Sequence, residues 1–305
     1  MGAGANVGNF HPIALALDGD PRGLEARLVQ LRIMRRMLKP SLVRSTLFTV
    51  AIVLLAAPPS LAQAQEEFVP QVGQAGKDVV WVPTPPELVE KMLDLAAVTP
   101  QDFVIDLGSG DGRNVIGAAK RGARALGVEY NPNMVVLSKK NAAAAGVGDK
   151  AMFVEGDMYE ADISKATVMA LFLLPSNMLQ LRQKFLDLRP GSRIVSNTFG
   201  IEGWTPDETV MMDGDCSAWC TALLWIVPAK VNGRWRIGQD ELLLTQNFQM
   251  LTGTLGGREI SDGRLRGDQI RFTVGGVEYT GRVASDRIEG MVRSGAPATT
   301  FTATR

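Results

Sequence analysis

One stretch decides the fold: Val104-Ile105-Asp106-Leu107-Gly108-Ser109-Gly110-Asp111-Gly112. Its apolar residues favour a buried strand, its glycines recur at every second position, and residues 114–121 read as a helix. In an open parallel sheet, this order of strand, glycine loop and helix places a nucleotide-sized ligand at the carboxyl end of the strand. Glycine suits the loop because it tolerates a positive φ and lets backbone N–H groups approach the ligand.

The chain after residue 78 alternates between apolar strands and helices. Continuous apolar strands separated by helices predict a parallel sheet that is buried on both faces. A last strand over residues 219–227, an Asn232-Gly233 turn and residues 234–237 predict an antiparallel hairpin that closes the sheet. The other strands are predicted over residues 103–107, 125–129, 151–154, 167–174 and 193–199, and the helices over residues 87–97, 114–121, 132–145 and 176–188.

The composition is typical of a globular protein and excludes several kinds of site. The 305 residues include 32 basic and 32 acidic side chains, so a large nucleic-acid surface is not expected. The single histidine, His11, lies outside any predicted domain, which excludes histidine triads, and no metal site is predicted. Cys216 and Cys220 would lie about 13 Å apart in an extended strand, so we expect core thiols and no disulfide.

Residues 1–64 are predicted to be an upstream extension followed by a secretory signal peptide. A basic segment over residues 32–44 precedes an apolar run over residues 47–57, and residues 61–64 end in an Ala-x-Ala pattern. The apolar run is too short to span a hydrocarbon core of about 30 Å. We therefore expect cleavage after Ala64 and export to the periplasm or the medium. The alternatives are a cytoplasmic location and tethering to the inner membrane through the uncleaved leader.

The remaining chain divides into three parts. Residues 65–78 are polar and form a linker, residues 79–240 contain the sheet, and residues 241–305 contain short alternating runs between glycine-rich turns. Within the last part, residues 263–270 recur in similar form as residues 281–288, which predicts successive hairpins in a small antiparallel β module. This module could cap the sheet, form a small barrel or bind a partner.

The charges near the glycine loop distinguish between two nucleotide ligands. A dinucleotide fingerprint requires G-x-G-x-x-G, whereas here Gly112 comes one residue early and Arg113 takes the fingerprint position. Asp106 lies inside the strand, where it would attract a ligand with a cationic amino-acid end. S-adenosylmethionine is such a ligand, and Glu129 and Asp157 follow the next two strands, placed for its ribose and adenine. The sequence therefore favours S-adenosylmethionine over a nicotinamide cofactor.

These motifs resemble those of class I S-adenosylmethionine-dependent methyltransferases, and further segments resemble the family that includes mitochondrial protein-lysine methyltransferases. Bacterial proteins of this kind often bear export-like leaders. The resemblance implies an α/β fold with a Rossmann-like seven-stranded methyltransferase sheet, and in-line N-methylation of a protein lysine or another amine. The segments that carry it are Trp81-Val82-Pro83-Thr84-Pro85, Asp106 to Gly112, Glu129, Gly156-Asp157, Leu173-Leu174-Pro175, Gly191 to Ser196 and Trp204-Thr205-Pro206.

The resemblance also assigns the parts of the cofactor site. The aspartate and glycines of the loop would hold the amino-acid end, Glu129 the ribose, and Asp157 the adenine, with Met158 nearby. Thr84 is predicted either to cap the helix of residues 87–97 or to lie over the ligand. The predicted cofactor-binding residues are Thr84, Asp106, Gly108, Ser109, Gly110, Asp111, Gly112, Glu129, Asp157 and Met158.

Fewer residues of the sequence indicate where the methyl-accepting amine would bind. Leu173, Leu174 and Pro175 fall where many amine methyltransferases carry an Asn/Asp-Pro-Pro-aromatic motif, but this chain lacks its polar and aromatic residues. Their backbone carbonyls could accept an amine, or the segment could be an ordinary strand end. Asn197 and Glu202 are further candidates for lining the substrate side, and no catalytic base can be named.

Two other functions stay open at the level of sequence. An NAD-linked oxidoreductase is disfavoured by Arg113 and Asp106. An exported binding protein that kept the nucleotide fold without catalysis is compatible with the leader, because S-adenosylmethionine is made in the cytoplasm.

Overall fold

The computed structural model describes residues 68–212, 216, 218–295 and 297–305. The predicted extension and signal peptide and the histidine lie outside these residues. No helix in the described part of the chain is long and apolar enough to cross a membrane.

The first part of the described chain is a seven-stranded sheet with helices on both faces. The strands lie in the order β3-β2-β1-β4-β5-β7-β6. The first five are parallel, and β7 is antiparallel to both of its neighbours. This confirms the predicted Rossmann-like seven-stranded sheet. The strands are β1 (Phe103–Leu107), β2 (Arg124–Glu129), β3 (Ala151–Glu155), β4 (Val168–Leu171), β5 (Arg193–Asn197), β6 (Glu208–Met211) and β7 (Thr221–Ile226), and the helices are α1 (Pro86–Leu95), α2 (Arg113–Lys120), α3 (Pro132–Ala144) and α4 (Pro175–Leu186).

Alternating side chains of the strands supply two cores, one on each face of the sheet. In β1, Val104 packs with residues of α1, α2 and α3, whereas Ile105 packs with residues of α4. Both residues are buried. Because successive side chains of a strand point to opposite faces, Asp106 shares the face of Val104. The carboxyl of Asp106 therefore points toward α2.

The antiparallel hairpin of the sheet differs from the predicted one. The strand that pairs with β7 at the sheet edge is β6, which precedes it in the chain. Residues 234–237 were expected to be the hairpin partner, and this prediction is wrong, because they pair with two strands of the C-terminal part. A turn signal such as Asn232-Gly233 indicates where the chain reverses, but it does not indicate which sheet the next strand joins.

The C-terminal part is a closed antiparallel barrel. Its strands follow each other in space as β10-β11-β12-β13-β14-β15-β8-β9. The repeated residues 263–270 and 281–288 each span the turn of one hairpin, as predicted. The inward side chains, among them Phe272 and Ile288, form a core of their own. The strands are β8 (Gly233–Ile237), β9 (Asp240–Asn247), β10 (Met250–Leu255), β11 (Arg258–Arg266), β12 (Gln269–Val274), β13 (Val277–Ala284), β14 (Arg287–Arg293) and β15 (Thr299–Thr304).

The two cysteines form a disulfide, which corrects the expectation of core thiols. The Cα atoms of Cys216 and Cys220 are 5.9 Å apart, within the usual range for a disulfide. The predicted separation assumed an extended chain, but β7 begins only at Thr221. The backbone turns before the strand, and Trp219 has a left-handed φ of 56°.

A buried carboxylate joins the barrel to the sheet. The side chain of Asp207, just before β6, is fully buried. Its oxygens accept hydrogen bonds from Arg264 Nη2 of the barrel at 2.7 Å and from the backbone N–H of Ile226 at 2.8 Å. The Arg264 side chain is 40% exposed, so removal of the buried carboxylate mainly leaves the Ile226 N–H without its acceptor and removes the link to the barrel.

We expect Asp207→Ala to lower the free energy of unfolding by about 2 kcal/mol, because Arg264 and the Ile226 N–H lose their acceptor. Urea denaturation followed by far-UV circular dichroism measures this change. Glu208→Ala is the matched control, since Glu208 pairs with Arg266 at the surface, where both side chains are about half exposed. The Glu208→Ala substitution should lower the free energy of unfolding by less than about 0.5 kcal/mol. Equal costs for both variants would contradict the role given to Asp207.

Candidate active site

An open cleft lies at the carboxyl ends of the parallel strands, where the sequence predicts the ligand. Its empty volume is about 860 Å³, the open solvent at its mouth included. Residues 74–84, which include part of the predicted linker, line it together with the ends of β1 and β2. Of the predicted cofactor residues, all except Gly112 line this cleft.

Asp106 is a buried carboxyl in the wall of the cleft. Its Oδ2 accepts a hydrogen bond from Asn114 Nδ2 at 3.1 Å. Burial, together with the negative charges of Glu129 and Asp111, raises the pKa of Asp106 well above its ordinary range. The oxygen Oδ1 of Asn114 is also buried and has no hydrogen-bond partner among the described residues. A buried carboxyl beside an unpaired acceptor fits a ligand ammonium group, which can donate hydrogen bonds to both.

Neighbouring side chains lie so close to Gly110 and Gly112 of the glycine loop that a residue with a Cβ would not fit at either position. Gly110 has a φ of 55°, and a Cβ on it would lie 2.7 Å from Trp81 Nε1. Gly112 has a φ of 87° and ends the loop as the residue before α2. A Cβ on Gly112 would lie 2.7 Å from the Phe153 ring. The Ser109 hydroxyl is buried without a hydrogen-bond partner among the described residues, and its Oγ lies 2.5 Å from where a Cβ of Gly127 in β2 would stand.

Glu129, at the end of β2, is fixed by two backbone groups. Its Oε2 accepts from the Gly110 N–H and its Oε1 from the Asn131 N–H, both at 2.9 Å. A carboxylate has about four acceptor positions, so each oxygen keeps one for a ligand hydroxyl. The arrangement fits a pair of ribose hydroxyls. Because Glu129 also accepts from the Gly110 N–H, a ribose bound to Glu129 would lie next to the glycine loop.

Asp157 follows β3 and is paired with a residue that sequence reasoning missed. Its Oδ1 accepts from the Tyr159 N–H at 2.8 Å, and Lys77 forms an ion pair with its Oδ2. The hydrogen bond from Lys77 lowers the pKa of Asp157. Met158 is buried beside it in the cleft wall. An adenine amino group that bound Asp157 would therefore share this carboxylate with Lys77.

Thr84 does not cap α1, because the cap position is Pro85 and no side chain bonds to the first helical turn. Instead Thr84 is buried and lines the cleft. Its carbonyl accepts a hydrogen bond from Arg113 Nη1 at 2.5 Å. The same guanidinium forms an ion pair with Asp111. Arg113 therefore links Thr84, in the segment before α1, to Asp111 of the glycine loop, and the Asp111 carboxylate is used in this link.

The substrate-side candidates lie behind the cleft wall. Leu173 is buried, and its Cδ2 lies 3.4 Å from where a Cβ of Gly108 would stand. Leu174 precedes α4, and its carbonyl accepts the Met178 N–H at 3.0 Å. The residue of this segment that lines the cleft is Phe172. Leu173 therefore packs beneath the glycine loop, and Leu173, Leu174 and Pro175 are not among the residues that line the cleft.

Several cleft residues had no clear signal in the sequence. Asn114 could have been found from its position in the first turn after the glycine loop. Lys77 reaches the cleft through the path of an irregular segment, which side-chain periodicity does not report, whereas Trp81 belongs to a segment that carries the family resemblance but was assigned no role. Within the described ranges, no three His, Cys, Asp or Glu side chains are placed to hold a metal ion.

Comparison with known proteins gives three findings for this part of the chain. The family described as the ANTKMT methyltransferase domain matches residues 106–208. A protein-lysine N-methyltransferase from Saccharolobus islandicus is 42% identical over 138 residues, which cover 44% of this chain and 86% of that protein. The adenine nucleotide translocase lysine N-methyltransferase of Mus musculus is 35% identical over 133 residues, 43% of this chain and 57% of its own length.

Among solved structures, the crystal structure of an RNA methyltransferase from Salinibacter ruber in complex with S-adenosyl-L-homocysteine is 47% identical. It covers 49% of this chain and 96% of its own chain, with a TM-score of 0.46. The chain spans about half the length of the mammalian lysine N-methyltransferases that it matches.

Proposed function

Since this chain belongs to the family of S-adenosylmethionine-dependent methyltransferases that includes the archaeal protein-lysine N-methyltransferase, we propose that it methylates a lysine side chain of a protein. S-adenosylmethionine is its cofactor. The observation that carries the proposal is the 42% identity over 86% of the archaeal enzyme. The alternatives raised by the sequence, an NAD-linked oxidoreductase and a binding protein without catalysis, have no support among these relatives.

When bound, S-adenosylmethionine would supply an activated methyl group to the substrate nitrogen, and Asp106, Asn114 and Glu129 are the residues that would hold it. Because the sulfonium is already activated, the protein mainly has to position the reactants and exclude water. Asp106 and Asn114 offer acceptors to the amino-acid end, and Glu129 offers acceptors to the ribose. Trp81 and Thr84 cover the cleft from the side of the N-terminal segment.

The accepting lysine must be neutral when it reacts. Its pKa falls when its amino group leaves water for a dry channel, because desolvation disfavours the charged form. The proton released on deprotonation passes to solvent. No group in the described part of the cleft is assigned as a general base.

Export of the protein is also part of the proposal. The disulfide between Cys216 and Cys220 supports it, because disulfides persist in oxidising compartments such as the periplasm. On this proposal the acceptor is a protein of the cell envelope.

Methyl transfer from radiolabelled S-adenosylmethionine tests the proposed function. The purified full chain is incubated with cell-envelope extract and, separately, with total RNA. We expect label that is sensitive to protease and that elutes as methylated lysine after acid hydrolysis. The Asp106→Asn protein is the inactive control. Nuclease-sensitive label in RNA, or label in another amino acid, would reject lysine as the acceptor.

A further inference from the structure

Three aromatic side chains stand beside the cofactor cleft and have no role in the site described above. Phe172 directly follows β4 and lines the cleft. Phe199 lies two residues after β5, and Trp219 lies two residues before β7. Because β4, β5 and β7 are neighbours in the sheet and β7 is antiparallel to β5, these three positions meet at the same edge. We call Phe172, Phe199 and Trp219 the aromatic wall.

The rings of the aromatic wall are in contact. The centroids of Phe172 and Phe199 are 6.0 Å apart with the ring planes 17° apart. The centroid of Trp219 lies 6.2 Å from that of Phe172, at an angle of 68°. Trp219 is 41% exposed. Large aromatic residues usually bury most of their surface, so an exposed indole at the edge of a cleft leaves ring surface available to a ligand.

An unpaired acceptor lies at the inner end of the aromatic wall. Leu171 of β4 pairs with Ser196 of β5, so the following residues, Phe172 and Asn197, are neighbours on one face of the sheet. Asn197 is completely buried. Its Nδ2 donates to Thr84 Oγ1 at 3.4 Å, while its Oδ1 has no partner among the described residues. A donor that reached this point would satisfy a buried polar group.

The disulfide constrains the outer part of the aromatic wall. Trp219 precedes Cys220, which is bonded to Cys216. Its φ of 56° is uncommon for a bulky residue and persists only where the surroundings hold it. The crosslink next to Trp219 is such a constraint on the backbone, and the indole lies edge-on to the Phe172 ring.

We propose that the aromatic wall binds the side chain of the accepting lysine, with Asn197 Oδ1 accepting a hydrogen bond from an N–H of the neutral amine before transfer, and that its rings then retain the methylated, positively charged product. The inference rests on the proposed function and extends it to the residues that receive the substrate. Aromatic faces attract alkylammonium groups, while their apolar surface packs against the methylene chain.

None of the cation–ring contacts in the described part of the chain involves the aromatic wall, so its ring faces are available to a cationic ligand. Among the described residues, four lysine or arginine side chains lie over aromatic rings, and those rings are Tyr130, Phe103, Phe248 and Trp235. The buried carboxyl of the cleft wall, Asp106, is assigned to the cofactor.

Binding of a methylated lysine probe tests the proposal directly. The full chain saturated with S-adenosylhomocysteine is titrated with Nα-acetyl-trimethyllysine amide and with its neutral isostere, in which carbon replaces the charged nitrogen. We expect the charged probe to bind about tenfold more tightly than the isostere. Trp219→Leu and Phe199→Leu should remove most of this preference, and Trp219→Phe should retain most of it. Indole fluorescence or NMR line shifts report the binding.

Two controls separate the possible outcomes. Phe248→Leu removes a ring that stacks on Trp204, outside the aromatic wall, and should keep the preference. Calorimetric binding of S-adenosylhomocysteine shows that each variant is folded. Equal binding of the two probes to the wild-type protein, or an unchanged preference in both leucine variants, would overturn the proposal. Because the probes need no methyl transfer, this result is independent of whether labelled methyl groups appear on lysine.

Discussion

Asp106→Asn is expected to weaken the binding of S-adenosylhomocysteine at least about a hundredfold at neutral pH, and methyl transfer with it. The ligand keeps its ammonium group, which would then face the amide donor of the asparagine in a buried position. Isothermal titration calorimetry measures the affinity. Asp187→Asn is the matched control, because Asp187 pairs with Lys230 at the surface and should leave binding unchanged. Wild-type affinity in the Asp106→Asn protein would remove Asp106 from the cofactor site.

The pH dependence of binding gives a second readout for the same carboxyl. Burial raises the pKa of Asp106, so the protein without ligand favours its neutral form below that pKa. An ammonium ligand favours the ionised form. Affinity should therefore rise with pH through the raised pKa of Asp106, by up to about tenfold per pH unit. In Asp106→Asn this dependence should disappear, and an equal slope in both proteins would assign it to another group.

Stability should change in the opposite direction from binding. A carboxyl with a raised folded pKa holds its proton more tightly in the folded state. The folded protein therefore loses stability as the pH rises from the unfolded pKa, about 3.9, through the folded one. Asparagine does not ionise, so cofactor-free Asp106→Asn should melt at a higher temperature than the wild type at neutral pH. Thermal unfolding with and without S-adenosylhomocysteine measures both effects.

Glu129→Ala is expected to lower the affinity for S-adenosylhomocysteine by about thirty- to a hundredfold, because several charge-assisted hydrogen bonds disappear together. The N–H groups of Gly110 and Asn131 lose their acceptor, and the glycine loop loses a support. Glu129→Gln keeps the size of the side chain and one acceptor. Its affinity for S-adenosylhomocysteine should therefore lie between those of the wild-type and the Glu129→Ala proteins.

A ligand without ribose hydroxyls separates direct contact from support of the loop. The dideoxy analogue of S-adenosylhomocysteine is titrated against both the wild-type and the Glu129→Ala proteins. If Glu129 binds the ribose, the substitution should cost clearly less affinity for the analogue than for the parent ligand. Equal losses for the two ligands would leave Glu129 with only a supporting role.

Much of the sheet could be predicted because its signals are local. The apolar runs and turn residues predict β1 over residues 103–107 without error, and α2 and α3 to within about one residue. β4 ends at Leu171, three residues earlier than predicted, because Pro175 begins the next helix and the intervening residues lead to it. The placement of Asp106 and Glu129 at one edge follows from the parallel order of their strands.

The sequence by itself determined the parallel sheet, the glycine loop, and the acidic residues at the strand ends, Asp106, Glu129 and Asp157, which line the cleft. Each depends on residue types at short spacing, which fix the side-chain direction within one strand or turn. The tertiary structure alone decided the β6–β7 pairing, the closed barrel, the cover over the cleft and the disulfide that holds Trp219. These features depend on the path of irregular segments and on contacts between distant residues, which no local periodicity specifies.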